Sequence, residues 1–306
     1  MSRLATFILV ASFLLAFSDT LEAQGPPPSQ GPVSFNFDGG FLLQSNADLD
    51  EGDGGFSVNR WFLGLGVTYA WDRRNSIGLS VGGGSASYDF DDTPAFGPDG
   101  PWEKIEDSRI SVVGRIGFGE TGQLFIIPSF RYNGEDDAKT SDGRTWGILA
   151  AAFWRINPDL NLGPGIGVFS RLEDGTRVFP ILAIDWNITE KWNLGTGRGL
   201  AASQGPGLTL SYKFNNRWSM GLAGRYERIE FRLNEEGATP GGVGEDRSFP
   251  LVLTANWQPN PIVGLNLFAG IELGGKLKLK NEFDELLAES DYDPAAIFGG
   301  TFELRF

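Results

Sequence analysis

The sequence contains no cysteine and no histidine among its 306 residues. Without cysteine the chain forms no disulfide, which suits a protein that crosses an oxidising compartment and needs no cross-links. Without histidine it lacks the commonest general base, the commonest metal ligand and every Ser-His triad. We therefore predict a protein that is not an enzyme, with no catalytic residue, no metal and no cofactor.

The chain also lacks a run of 18 apolar residues, so it offers no membrane-spanning helix. The apolar stretch 4–17 follows Arg3, and small and polar residues lead from it to Ala23. This order predicts a secretory signal peptide over 1–23, and an amino-terminal anchor is the alternative. The proline-rich segment 24–31 predicts an extended periplasmic linker, which leaves 32–306 as one domain.

Basic residues are few, since 25 lysines and arginines face 39 acids and the formal net charge is −14. A chain this acidic repels phosphates, so we predict no nucleic-acid partner. Apolar residues at helical spacing are scarce as well. Glycine, in contrast, is abundant at 43 residues and shows no collagen period.

Apolar and polar residues alternate along most of the chain, and turn residues end each alternating segment. One such row contains Trp61, Leu63 and Leu65, with Arg60 and Gly64 on the opposite face. A period of two predicts strands that each have one apolar face. We predict fourteen strands, at 32–44, 55–71, 76–90, 107–118, 123–133, 144–156, 160–171, 177–188, 192–200, 207–214, 218–233, 247–257, 262–280 and 295–306. Twelve are the alternative if 192–214 folds over instead of spanning.

The connections between these strands alternate in kind. Short turns, such as 72–75 and 119–122, alternate with mostly longer acidic loops, such as 91–106 and 234–246. Six tryptophans lie beside the short turns, at Trp71, Trp154, Trp186, Trp192, Trp218 and Trp257. This asymmetry and this aromatic rim are typical of an antiparallel transmembrane β-barrel in the bacterial outer membrane. A soluble β-sandwich or propeller is the alternative, because its strands alternate too.

The last strand favours the membrane barrel over the soluble folds. Phe306, Leu304 and Phe302 share one face, and Arg305 and Glu303 share the other. A closing strand with lipid on one side and water on the other requires such faces. We predict that the partners are outer-membrane lipid and lipopolysaccharide, the barrel-assembly machinery through Phe306, and small solutes.

If the apolar rows face lipid, the opposite rows face the lumen. The candidate lumen-lining residues are Arg60, Arg109, Arg115, Arg131, Arg155, Arg177, Arg225, Asp185 and Glu272. They either line a water-filled pore and set its charge preference, or pair across strands and plug the barrel. Fourteen strands are wide enough to hold water inside, which favours the pore. Lys276, Lys278 and Lys280 lie on the same face of the predicted strand as Glu272, so we predict that they top the lumen wall at the outer mouth.

The C-terminal third carries a resemblance to known sequences. The segments that carry it are 218–222, 225–232, 242–250, 257–261, 270–276 and 287–294. They resemble an uncharacterised family of outer-membrane β-barrel proteins, classified only as a domain of unknown function. The resemblance implies the barrel and the compartment, and it implies no substrate and no functional residue.

Three functions are compatible with these patterns. The first is a passive porin-like channel for small hydrophilic solutes. The second is a non-conducting structural or adhesive barrel, whose acidic loops bind a partner or divalent-bridged lipopolysaccharide. The third is a channel for hydrophobic compounds, which predicts that five inward phenylalanines cluster on one wall, namely Phe62, Phe125, Phe153, Phe169 and Phe179.

Overall fold

The structure is a computed structural model that describes residues 31–50, 54–93, 96, 100–173, 175–196, 207–237 and 239–306. The predicted signal peptide and all but the last residue of the predicted linker lie outside the described residues. Within the described ranges, no helix has the length and apolarity needed to cross a membrane.

The described residues form sixteen strand segments, and nearly all of the chain between the turns is extended. Their bounds are β1 Val33–Asp48, β2 Gly55–Ala70, β3 Ser76–Asp91, β4 Lys104–Phe118, β5 Gly122–Glu135, β6 Arg144–Asn157, β7 Leu160–Ser170, β8 Thr176–Asn187, β9 Trp192–Thr196, β10 Gly207–Lys213, β11 Trp218–Arg225, β12 Glu227–Arg232, β13 Val243–Trp257, β14 Val263–Lys280, β15 Leu286–Tyr292 and β16 Ala295–Arg305.

These segments close into an antiparallel barrel of fourteen strands. Each of β1 to β10 pairs with the next, and the wall continues through β11, β13, β14 and β16 back to β1. Segment β12 continues β11 along the chain, and β15 precedes β16. The predicted fourteen strands are confirmed, because the 192–214 region supplies two separate strands, β9 and β10, instead of folding over.

The alternation in the sequence determines which side chains face outward. Leu182 is 57% exposed whereas its neighbour Ala183 is 3% exposed, and the other strands repeat this pattern. The outer surface is therefore an apolar belt, and the smaller, polar or charged residues lie inside. Such an arrangement matches a wall with lipid outside and water or packed polar groups inside.

Two aromatic girdles border this apolar belt. At the short-turn end, exposed aromatic side chains include Trp71, Trp154, Trp186, Trp192, Trp218 and Phe306. At the long-loop end, a second set includes Trp61, Phe130, Trp146, Phe249 and Phe298. Trp61 of the upper girdle lies in β2, and Trp71 of the lower girdle directly follows β2, ten residues further along the chain. A tilted strand of that length rises about 25 Å, the height of the apolar band of an outer-membrane barrel.

At the long-loop end, part of the wall folds inward as a four-stranded sheet, which we call the lid sheet. It consists of β12, residues 243–248 of β13, residues 275–280 of β14, and β15. One edge pairs with β5 through Arg232 and Gly134, and the other meets the end of β1 through Tyr292 and Leu49. Together with β1 to β5, the lid sheet forms a second and narrower ring of nine strands.

The side chains inside this narrower ring form the hydrophobic core of the protein. Trp102 packs against Phe231 of the lid at a centroid distance of 4.9 Å, and Phe56 packs against Tyr292 at 5.0 Å. Phe62 is fully buried in the same cluster. A ring of about eight strands is just wide enough for side chains to fill it. The narrower ring is accordingly filled, whereas the fourteen-strand ring below it is wide enough to hold space.

A β-bulge makes the lid possible and overturns one prediction. The register of β13 against β14 shifts between Arg247 and Phe249, and Gly274 takes a φ of 58°, which favours glycine. The extra residue reverses the phase of the strand, so that Leu277 and Leu279 face the core. The prediction that the three lysines share the phase of Glu272 was wrong: they lie on the charged face of the lid, where Lys276 and Lys278 pair with Glu289 of β15 and Lys280 pairs with Asp284.

We expect the apolar belt to reject charge in a depth-dependent way. Leu65→Arg, midway between the girdles, should lower the free energy of unfolding in lipid by about 2–4 kcal/mol. Val33→Arg, on the same face at the short-turn rim, should lower it by about 0–1 kcal/mol. Equilibrium denaturant titration in vesicles measures both, and equal losses would contradict the assignment of the belt.

Candidate functional site

The lumen of the fourteen-strand ring is the candidate site, and most of the predicted lumen residues lie in it. Seven of them are buried inside the barrel, namely Arg60, Arg109, Arg115, Arg131, Arg225, Asp185 and Glu272. Arg177 is half-buried at the upper end of β8. Arg155 is exposed at the short-turn rim, near the start of β7.

Some of these charges pair across the lumen, directly under the lid sheet. The Arg60 guanidinium lies 3.8 Å from Glu272 and 4.0 Å from Asp246 of the lid, and Arg225 lies 2.8 Å from Glu227. All of these groups are buried. Burying a charge is costly unless it is paired, and these pairs join β2 to β13 of the lid and to β14, so this layer forms a floor under the lid.

A second ionic cluster lies on the opposite, charged face of the lid sheet, toward β7 and β8. The Glu230 carboxylate is within 3.0 Å of Arg177, 3.1 Å of Arg228 and 4.0 Å of Arg171. The side chains of the three arginines are 26 to 29% exposed. The sequence did not reveal this cluster, because Arg228 and Glu230 have the outward phase of a wall strand. They become interior only because β12 folds inward.

Lower in the lumen, two arginines face each other without an acid between them. Arg109 of β4 is directly opposite Arg131 of β5, and each is 5% exposed. Cβ atoms in such a pair are about 5 Å apart. Among the described residues neither forms a salt bridge, and their Nε atoms and Nη1 of Arg131 have no hydrogen-bond partner. We call these two residues the arginine pair.

Next to the arginine pair, the inner face of β5 to β8 is apolar. The inward side chains of this apolar wall are Phe125, Ile127, Leu149, Ala151, Phe153, Phe169, Phe179 and Ile181. Phe169 and Phe179 stack at 5.7 Å with nearly parallel rings, and the Arg131 guanidinium lies 4.9 Å over Phe169. Four of the five phenylalanines predicted to share a wall do so, and Phe62 lies apart in the core.

The other side of the lumen is polar and contains open space. At the short-turn end a cavity of about 600 Å³ is enclosed mainly by β8 to β16. Its lining includes Asn193, Thr209, Ser211, Thr254, Asn256, Asn266 and Thr301. The Oδ1 atoms of Asn193 and Asn266 are buried and have no partner among the described residues. Asp185 accepts hydrogen bonds there from Asn193 at 2.8 Å and Asn161 at 3.4 Å.

The arrangement holds charged groups and hydrogen-bonding groups on different parts of the inner wall. Among the described residues, no group of three or more acids is placed to hold a metal ion. What the lumen offers is selective contact: an amide- and hydroxyl-lined cavity on the side of β8 to β16, an apolar wall over β5 to β8, and the arginine pair at the β5 end of that wall.

Comparison with solved structures identifies the fold. An outer-membrane channel from Pseudomonas putida F1 matches 93% of this chain and 98% of its own, at 9% identity and a TM-score of 0.51. The P. putida toluene transporter TodX matches 99% and 98% at 8% identity and a TM-score of 0.47. The KdgM porin, solved with oligogalacturonate, matches 89% and 99% at 7% identity and a TM-score of 0.38.

At this identity the likeness shows the fold alone, which is that of outer-membrane barrels. No protein-family model matches the chain. No curated protein matches it either. The resemblance of the C-terminal third to an uncharacterised barrel family therefore stays a prediction.

The turn 281–285, which joins β14 to β15 at the outer end of the lid sheet, should become more mobile in acid. Burial opposes ionisation of Asp284, but the hydrogen bond from Lys280 at 2.7 Å and the charges of Lys280 and Arg171 hold the pKa of Asp284 below its ordinary 3.8. A depressed pKa contributes stability above 3.8 that is lost as pH falls through the folded value.

A spin label on Phe283→Cys, beside this contact, should therefore gain mobility only below about pH 3.8. Introducing Asp284→Asn into the labelled protein should give, at pH 7, the mobility that the label otherwise gains only in acid. A label on Glu120→Cys, in a short turn, is the matched control and should not change. Equal mobility of the Phe283→Cys label with and without Asp284→Asn would contradict the role of this ion pair.

The paired and unpaired arginines should respond oppositely to removal. Arg131→Met removes a buried donor that has no partner, so the free energy of unfolding should rise by about 1–3 kcal/mol. Arg60→Met strips Glu272 and Asp246 of their counterion and should lower it by about 3–5 kcal/mol. Denaturant titration of both variants checks the sign, and a loss at Arg131 as large as at Arg60 would show that Arg131 is paired.

Proposed function

We propose that this protein is a passive channel of the bacterial outer membrane that admits small hydrophilic solutes. The observation that carries the proposal is the cavity of about 600 Å³, whose lining is rich in Asn, Thr and Ser. Inside a barrel whose outer surface is an apolar belt, such a lining has no role in packing. The Oδ1 atoms of Asn193 and Asn266, which have no partner among the described residues, are instead suited to water and to polar solutes.

The solute route, in this proposal, runs beside the lid sheet and not through it. The narrower ring is filled with aromatic side chains, which leaves no room for a solute on that side. On the other side the described boundary is the charged face of β12 and the ends of β7 and β8. The half-exposed arginines around Glu230 lie there, where they would meet any solute that passes. Charged rings of this kind set selectivity in channels.

The remaining partners follow from the same placement. We propose that the short turns face the periplasm and the lid faces outward, where the long loops would meet lipopolysaccharide. Phe306 is 66% exposed at the rim, so its ring is accessible to the barrel-assembly machinery. We further propose that the chain belongs to the uncharacterised barrel family that its C-terminal third resembles.

A non-conducting barrel is the second candidate, and a specific observation favours it. The lid sheet seals the mouth over β1 to β5, and buried ion pairs such as Arg60 with Glu272 fix it from below. A protein built this way could serve as a stable platform whose acidic loops bind a partner. The two candidates differ in whether ions cross the barrel.

Single-channel recording in a planar bilayer separates them. The wild-type protein should give small discrete steps, and Glu230→Gln should enlarge them, because three arginines lose their shared partner and repel one another across the crevice. Glu120→Gln, which removes the same charge in an exposed turn, should leave the steps unchanged. Heat-modifiable migration on a gel confirms that each barrel is closed.

Closed barrels that conduct in neither form would reject the channel and support the non-conducting barrel. Steps that Glu230→Gln leaves unaltered would place the route elsewhere in the lumen.

A further inference from the structure

Among the described residues the arginine pair forms no salt bridge, and three of its nitrogen atoms have no hydrogen-bond partner. Two acids, Asp107 and Asp38, act on the charge of Arg109, and Asp107 alone acts on that of Arg131. The third arginine of this wall, Arg115, donates to the backbone carbonyl of Arg73 at 3.2 Å and forms no salt bridge within the described residues. A buried guanidinium without a counterion is costly, so such an arrangement is stable with an anion beside it.

The neighbours of the pair leave space on the lumen side. In the cross-strand row just below, Ser111 faces Ser129, and Ser129 faces Gly147. Gly82 is opposite Arg109 on the β3 side. Only small side chains therefore border the two long ones in these rows, and the Nε atoms of both arginines and Nη1 of Arg131 are buried with no hydrogen-bond partner among the described residues. Guanidinium groups bind carboxylates in a two-pronged geometry, which makes a carboxylate the fitting anion.

The apolar wall adds a second requirement for the ligand. Phe169 lies directly beneath the Arg131 guanidinium and stacks on Phe179, and their rings cover Gly147 and Gly167 of the adjacent strands. A flat aromatic surface in contact with the anion site favours a flat apolar group attached to the anion. A simple inorganic ion would leave this surface unused.

We propose that the arginine pair and the Phe169–Phe179 stack form a binding site for an aromatic carboxylate. The carboxylate would lie between the two guanidiniums, and the ring would lie on the apolar wall. The proposal deepens the proposed function, on which it rests for the ligand's way in, by naming the class of solute that the lumen selects. It also predicts an anion preference in a chain whose net charge is −14.

Equilibrium binding tests the site without any need for conduction. The probes are benzoate, acetate, inorganic phosphate and benzyl alcohol, titrated calorimetrically into the full-length protein exported to and purified from outer membranes. Benzoate should bind, acetate and phosphate should bind at least about tenfold more weakly because they lack the ring, and benzyl alcohol should not bind because it lacks the charge.

Variants then assign the contacts. Arg109→Met and Arg131→Met should each weaken benzoate binding by about tenfold or more, since each removes a charged hydrogen-bond donor. Arg131→Lys should restore part of the affinity, because lysine keeps the positive charge but lacks the two-pronged hydrogen-bonding geometry of a guanidinium. Arg73→Gln, which removes an exposed arginine in the short turn beyond β2, is the matched control and should bind benzoate as the wild type does. Heat-modifiable migration confirms that every variant is folded.

Three results would overturn the proposal: no benzoate binding, equal binding of acetate or phosphate, or binding of benzoate that neither arginine variant weakens. Channel recording distinguishes a failure of this binding site from a failure of the proposed channel function. A barrel that conducts but does not bind benzoate rejects the aromatic-carboxylate site and leaves the channel in place. A barrel that binds benzoate as described but never conducts rejects the channel and leaves the site.

Discussion

The structure depends on one constraint, which is that every backbone amide and carbonyl within the apolar belt must find a partner in the wall itself. Lipid offers no hydrogen bonds, so an open sheet edge there would be costly. The barrel meets this constraint by closing, with β13 paired to β14 and β16 paired back to β1. Once the wall is closed, alternation sends every second side chain into the lumen, and the chemistry of the interior follows from the inward residues.

The same constraint explains why the lid sheet can exist where it does. Above the upper girdle the backbone can bond to water or to another strand, so the wall is free to change its path. The bulge at Gly274 reverses the phase of β14, and apolar residues such as Leu277 then face inward. Hydrophobic burial drives the lid onto β1 to β5 and leaves its charged face toward β7 and β8. Among the described residues, the lid thereby covers this end of the barrel on the side of β1 to β5.

The lumen below the lid is divided by chemistry into two halves. Small polar residues border open space on the side of β8 to β16, and phenylalanines cover the side of β5 to β8. Nearly every charge in the upper layer has a partner, as Arg60 and Arg225 do. Among the described residues the arginine pair and Arg115 are buried and form no salt bridge, which makes them candidates for function and not for stability.

The sequence by itself determined the barrel, its strand number and the direction of the side chains in the wall strands, because alternation with a period of two is a local property of each strand between lipid and water. It also identified buried lumen residues such as Arg109, Arg131 and Glu272. Only the tertiary structure decided which of them pair, since pairing joins residues distant in the chain. It alone brought Glu230 to the interior, because one bulge and one inward fold, invisible to periodicity, redirect whole strands, and it alone showed that Arg131 forms no salt bridge among the described residues.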